Sequence, residues 1–184
     1  MEFGIFDHMD HGGQGSLTQF YEDRLGIVEL YDQSGIYAYH LAEHHATPLG
    51  MAPSPNIFLS AVAQRTKKLR FGPLVYCLPL YHPIRLLEEI CMLDQMSGGR
   101  LEMGVGRGIS PIELNYWGIN YDDGPVIYKE VFDLITKGIS DNKLNHNGSS
   151  FQISDMPMNL SLIQQPHPPL WYGVANPSSV EWPA

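Results

Sequence analysis

Residues suited to acid–base and phosphate chemistry occur at separate points along the chain. Glu43-His44-His45 joins a carboxylate to two imidazoles, groups that can take or give a proton near neutral pH. Gly104-Val105-Gly106-Arg107-Gly108 sets a fixed cation between glycines. Glycine there lets backbone approach a flat ligand, while the guanidinium can hold a phosphate; a tight strand-end turn needing positive φ reads the same glycines equally well. Asn176-Pro177-Ser178-Ser179 has the form of a helix start, where free N–H groups and hydroxyls bind anions. Capping of that helix by Asn176 is compatible with such a site, because different N–H groups can serve each purpose.

Two competing motifs lose on context. His40-Leu41-Ala42-Glu43-His44 spells H-x-x-E-H, which binds zinc only from a helix. The residues before it, Gly35 to Tyr39, read as turn and strand, and on a strand the two imidazoles would stand about 13 Å apart. The glycines at 104, 106 and 108 miss the G-x-G-x-x-G spacing of a dinucleotide turn, and Ser110-Pro111 and a Trp117-Gly118 loop delay any helix. No metal is therefore expected. The net charge of −9 and scattered basic residues exclude a nucleic-acid partner. Cys77 and Cys91 are too few for a disulfide framework and lie in apolar stretches, as buried free thiols in a reducing cytoplasm would. The N-terminus carries no basic leader, and no apolar run is long enough to span a bilayer.

The elements that must position these residues alternate strand and helix. Strands are expected at Glu2–Phe6, Ala38–Ala42, Leu69–Cys77, Leu101–Val105 and Leu170–Ala175. Helices follow from Ser16 to Ser34, from Ser54-Pro55, from His82-Pro83 to about Met96, from Gly124-Pro125 to Gly138, and from Asn176-Pro177. Between Asp141 and Pro169 lies a polar insert with a short hairpin around Phe151 and Met158. The strands are short and almost wholly apolar, as parallel strands covered on both faces should be. Pattern leaves two architectures, an open doubly wound sheet or part of a (β/α)₈ barrel. In either, the carboxyl ends of the strands line the ligand site, and Glu43 to His45, Leu78-Pro79, Arg107 and Asn176 all fall at such ends.

Four blocks carry a family resemblance: Leu41 to His45, Leu78 to Arg85, Leu93 to Leu101, and Gly104 to Gly108. In order and spacing they resemble the luciferase-like flavin-dependent monooxygenases, including the luciferase alpha subunit. The resemblance implies an α/β (β/α)₈ TIM barrel that binds reduced FMN at its carboxyl rim and uses O₂ to oxygenate a small organic substrate. It further implies catalytic acid–base work by His44, with Glu43 at the flavin site and the backbone at Leu74 and Val75, often with a non-prolyl cis bond, against the flavin ring. Gly106 belongs to the same site, and Arg107, Asn176, Ser178 and Ser179 lie toward the phosphate. A flavin reductase as the source of reduced FMN and a homo- or heterodimer are implied as well. The chain departs from the luciferase alpha subunit, which has a reactive Cys at Gly106 and alanines at Leu74 and Val75. Those departures argue against light emission from an aldehyde and leave flavin binding in place. Related barrel reductases hold a deazaflavin in the same rim, so that cofactor stays open. A complete barrel takes about 250 residues. The chain is thus expected to be one partial domain, 1–184, with about five of eight strand–helix units. The alternative function is a non-catalytic flavin-binding or dimerising fragment.

Overall fold

The computed structural model describes residues 1–48, 50–174 and 180. The elements are β1 (Gly4–Asp7), α1 (Leu17–Ser34), β2 (Ala38–Leu41), α2 (Pro55–Arg65), β3 (Arg70–Pro73) and β4 (Tyr76–Cys77). A 3₁₀ turn at Leu78–Leu80 leads to α3 (Pro83–Ser97), β5 (Met103–Gly106), α4 (Pro111–Tyr116) and α5 (Gly124–Ser140). The hairpin β6 (Lys143–Asn147) and β7 (Gln152–Pro157) and strand β8 (Leu170–Tyr172) follow. The helix opening at Asn176-Pro177 lies outside the described residues.

Local chemistry sets the helix ends. Ser16 Oγ accepts from the Gln19 amide at 3.2 Å, and Gly35 closes α1 at φ 75°. Proline at the first turn opens α2 and α3, where a missing N–H costs nothing. Gly98 ends α3 in the left-handed conformation at φ 69°.

All strands of the main sheet run parallel. β1 pairs with β2 and β2 with β3; β4 pairs with β5 and β5 with β8. The parallel bridge Phe71 to Leu101 links the two sets. The strand expected at Leu69–Cys77 is therefore two strands. β3 pairs with β2, whereas β4 pairs with β5, and the cis peptide Leu74-Val75 lies between them. A second correction concerns the segment after β5. A helix does open at Pro111, capped by Ser110, but with six residues it is too short to leave a readable apolar period. The insert hairpin pairs further toward the N-terminus than expected, Leu144 opposite Met156 and Asn147 opposite Gln152.

The two faces of β2 show how the layers divide. Tyr39 packs toward Tyr31 of α1 and Phe58 of α2, whereas His40 turns to Trp171 and Glu102 on the inner face. The helix-side core is built from Leu59, Val62, Leu86, Ile90, Val131 and Leu134 against Leu41, Phe71, Met103 and Val105, all buried. Burial of such aliphatic side chains contributes roughly 1.5–3 kcal/mol each before chain entropy is counted.

The block Leu93 to Leu101 knits the amino-terminal side of this layer. The buried Asp94 carboxylate accepts from the amides of Ile163 and Gln164 at 2.6 and 3.0 Å. The Arg100 guanidinium donates to the carbonyls of Ala63, Thr66 and Leu69, the orphan acceptors at the end of α2 and just beyond.

Candidate active site

Five strand ends converge on one cavity of about 440 Å³. Phe6 and His8 reach it from β1, and Ala42, Glu43 and His44 from β2. Leu74, Val75 and Cys77 come from the third strand position, Gly106 to Ser110 and Glu113 from β5 and the start of α4, and Gly173 and Val174 from the end of β8. The volume falls in the range of pockets that bury a drug-sized ligand. The floor is apolar and low. At Gly106 an added methyl would sit 2.4 Å from Val75 Cγ2, so only glycine lets these two strand ends close up. Gly108, at φ 80°, supplies the positive-φ turn after the strand, and a methyl there would strike Cys77 Sγ.

His44 stands at the polar side of the cavity. Its Nδ1 lies 3.3 Å from Glu113 Oε1, its ring stacks on His8 with centroids 5.6 Å apart, and 29% of its side chain is exposed. Arg107 donates from Nη2 to the Tyr121 hydroxyl at 3.0 Å and lies over the Tyr121 ring. A guanidinium steadied on an aromatic face keeps other N–H donors for a phosphate.

Glu43 lines the cavity, but its carboxylate is 1% exposed and committed elsewhere. It accepts from Tyr81 Oη at 2.7 Å and the Cys77 amide at 3.2 Å, and meets His45 Nε2 at 2.9 Å. These bonds tie the loop carrying His44 to Cys77 of β4, just after Leu74 and Val75, and to Tyr81 beyond it. Burial, reinforced by the Glu43 charge, drives the Tyr81 hydroxyl well above its usual range. Burial likewise raises the Cys77 thiol, with Glu43 and Glu113 adding to the effect, so Cys77 stays protonated and is no nucleophile. Cys77 and Cys91 are both buried and unpaired.

The expected site residues His44, Glu43, Leu74, Val75, Gly106 and Arg107 are brought to one cavity. Asn176, Ser178 and Ser179 lie outside the described residues. Sequence reasoning missed His8 and Glu113. His8 carries the same signal as His44, a polar residue just past a strand end. Glu113 lies beyond the strand end, and the signal that could have found it is the capping-box spacing Ser110-Pro111-Ile112-Glu113. The H-x-x-E-H motif runs from β2 into the following loop rather than along a helix. Among the described residues no group of three or more His, Cys, Asp or Glu could hold a metal ion.

A parallel β/α layer with its ligand cavity at the carboxyl ends of the strands defines the class. The chain belongs to the luciferase-like monooxygenase family, whose pattern it matches over residues 1–184. An uncharacterized protein of Sinorhizobium fredii, y4wF, is 50% identical over the whole chain, which covers 54% of that protein. The oxygenase component of a flavin-dependent trigonelline monooxygenase from Acinetobacter baylyi is 30% identical over 99% of the chain and 51% of its own length. Among solved structures, the monooxygenase RslO1 of Streptomyces bottropensis superposes with a TM-score of 0.92 at 28% identity, covering 98% of this chain and 56% of that one. The chain spans about half the length of the curated relatives it matches. No helix among the described residues is long and apolar enough to cross a membrane.

Proposed function

We propose that residues 1–184 form the flavin-binding part of a monooxygenase that uses reduced FMN and O₂ to oxygenate a small organic substrate. The observation that carries this reading is the convergence of five strand ends, with His44 and Arg107, on one apolar-floored cavity. The residues present fit a flavin. Leu74, Val75, Gly106 and Gly173 offer a low surface for a flat ring, and Arg107 offers a cation for the phosphate, with Ser178 and Ser179 its expected neighbours. When bound, reduced flavin supplies the electrons for putting one atom of O₂ into substrate and the other into water. His44, at the polar side of the cavity, would take or give the proton that such a reaction needs. Glu43 acts on the site through the loop and strand its carboxylate ties together.

Supporting the barrel reading, β1 and β8 each pair on one side only among the described residues, and both end at the cavity. We propose that three further strand–helix units close the barrel and supply a substrate wall, and that a separate reductase delivers the reduced flavin to a dimeric enzyme. The test is to titrate the full-length protein with FMN and a deazaflavin side by side, then to follow O₂ uptake with reduced FMN. Tight FMN binding with O₂-dependent substrate oxidation is expected. A preference for deazaflavin, or no binding of either, would overturn the proposal.

A further inference from the structure

Helix α4 opens on Ser110-Pro111-Ile112-Glu113, the residue pattern of a capping box. One half of the box is formed, with the Ser110 hydroxyl accepting from the Glu113 amide at 3.2 Å. In a complete box the glutamate carboxylate turns back to the amide of the capping residue. Here the Glu113 carboxylate reaches instead to Nδ1 of His44, 3.3 Å away. A local rule broken at the wall of a cavity points to a use for the group there.

The His44 imidazole is held on two more sides. The His8 ring lies nearly parallel to it, at 10°. Gly50 packs so closely that a methyl at that position would sit 2.8 Å from His44 Cβ. An ionised carboxylate can only accept, so a bond to Glu113 requires the proton on Nδ1. Whichever ring nitrogen is fixed by a hydrogen bond decides the state of the other. The separation exceeds that of an optimal charge-assisted pair, as catalytic hydrogen bonds often do before ligands close the site.

We infer that Glu113 is a positioning residue for His44: its carboxylate holds the neutral ring in the Nδ1-protonated tautomer and leaves Nε2 as the proton acceptor for the cavity. This rests on the acid–base role proposed above for His44.

The experiment reads the ring ¹⁵N shifts of His44 in the full-length protein labelled with ¹⁵N-histidine, without flavin, at a pH where imidazoles are neutral. The spectrum of His44→Gln identifies the signals. The wild-type ring is expected to be protonated at Nδ1. Glu113→Ala should move it toward the Nε2-protonated form, whereas Ser110→Ala, which weakens the cap and keeps the carboxylate, should leave it unchanged. In assays with reduced FMN, Glu113→Ala should lower kcat about tenfold or more with FMN affinity nearly unchanged. A wild-type ring protonated at Nε2 overturns the inference even if Glu113→Ala does not fold. So does an unchanged tautomer in Glu113→Ala, or an equal shift in Ser110→Ala, which would reduce Glu113 to a helix cap. Because the spectra need no flavin, failure of flavin binding would sink the proposed function and leave this result readable.

Discussion

In the proposed site His44 and Arg107 have different tasks, which can be tested separately. His44 is partly exposed at the cavity and touches Glu113 and His8 rather than the core. In the full-length protein His44→Ala should therefore lower turnover by roughly 10²-fold or more while FMN affinity changes little. Steady-state turnover beside a flavin titration checks this, and wild-type turnover would remove His44 from the chemistry. Arg107 is the cation that lines the cavity after β5, steadied by Tyr121. Arg107→Ala should weaken FMN by about 1.5–3 kcal/mol, the range for hydrogen bonds to charged groups. Riboflavin lacks the phosphate and should bind the variant almost as well as wild type. Equal losses for the two ligands would mean that Arg107 supports the fold instead.

At the scale of elements, one carboxylate ties the inner face of the parallel strands together. Glu102, immediately before β5, is fully buried. It meets His40 Nε2 of β2 at 2.9 Å, Arg70 Nε of β3 at 2.8 Å and Trp171 Nε1 of β8 at 2.7 Å. Burial alone would raise the Glu102 carboxyl, but the bonds from His40, Arg70 and Trp171 outweigh it and hold it down to about 2. A carboxyl depressed in the folded state adds stability above its ordinary value near 4.5 and loses it as pH falls toward about 2. Urea unfolding should thus show stability declining through that window, with a shallower decline for Glu102→Gln. Glu102→Ala should cost about 3–5 kcal/mol near neutrality, because it breaks a buried ion pair and removes the acceptor shared by His40, Arg70 and Trp171. An unaltered acid slope in Glu102→Gln would show that the other depressed carboxyls, such as Glu130, carry the effect.

At the scale of the molecule, apolar groups remain open where the run of strands ends. Phe3 and Phe6 on the β1 side and Leu170, Trp171 and Val174 on the β8 side are each at least 41% exposed. Each terminal strand also presents one unpaired edge among the described residues. Such edges and faces invite association unless further chain covers them. Expressed alone, residues 1–184 should be poorly soluble or oligomeric and bind FMN much more weakly than a full-length homologue. Light scattering and flavin titration check this. A monomer with tight FMN binding would overturn the proposed completion by further units.

By itself the sequence left out α4 and the division of the third strand into β3 and β4, but determined the alternation of strands and helices and most of the places where they end. These follow from short-range causes: apolar runs, capping serines, prolines at first turns, and Gly35 and Gly98 at positive φ. The strand ends in turn marked His44, Arg107 and Gly106 as candidates, because parallel strands gather their carboxyl ends at one rim. Only the tertiary structure decided what each polar group faces. Glu43 and His44 are neighbours in sequence, yet one carboxylate is sealed beneath the loop and the other side chain opens to the cavity. Glu113 meets His44 across 69 residues, and Asp94 meets Gln164 across 70. Hydrogen-bond partners are chosen by distance in space, and no periodicity along the chain encodes which loop will fold back to supply them.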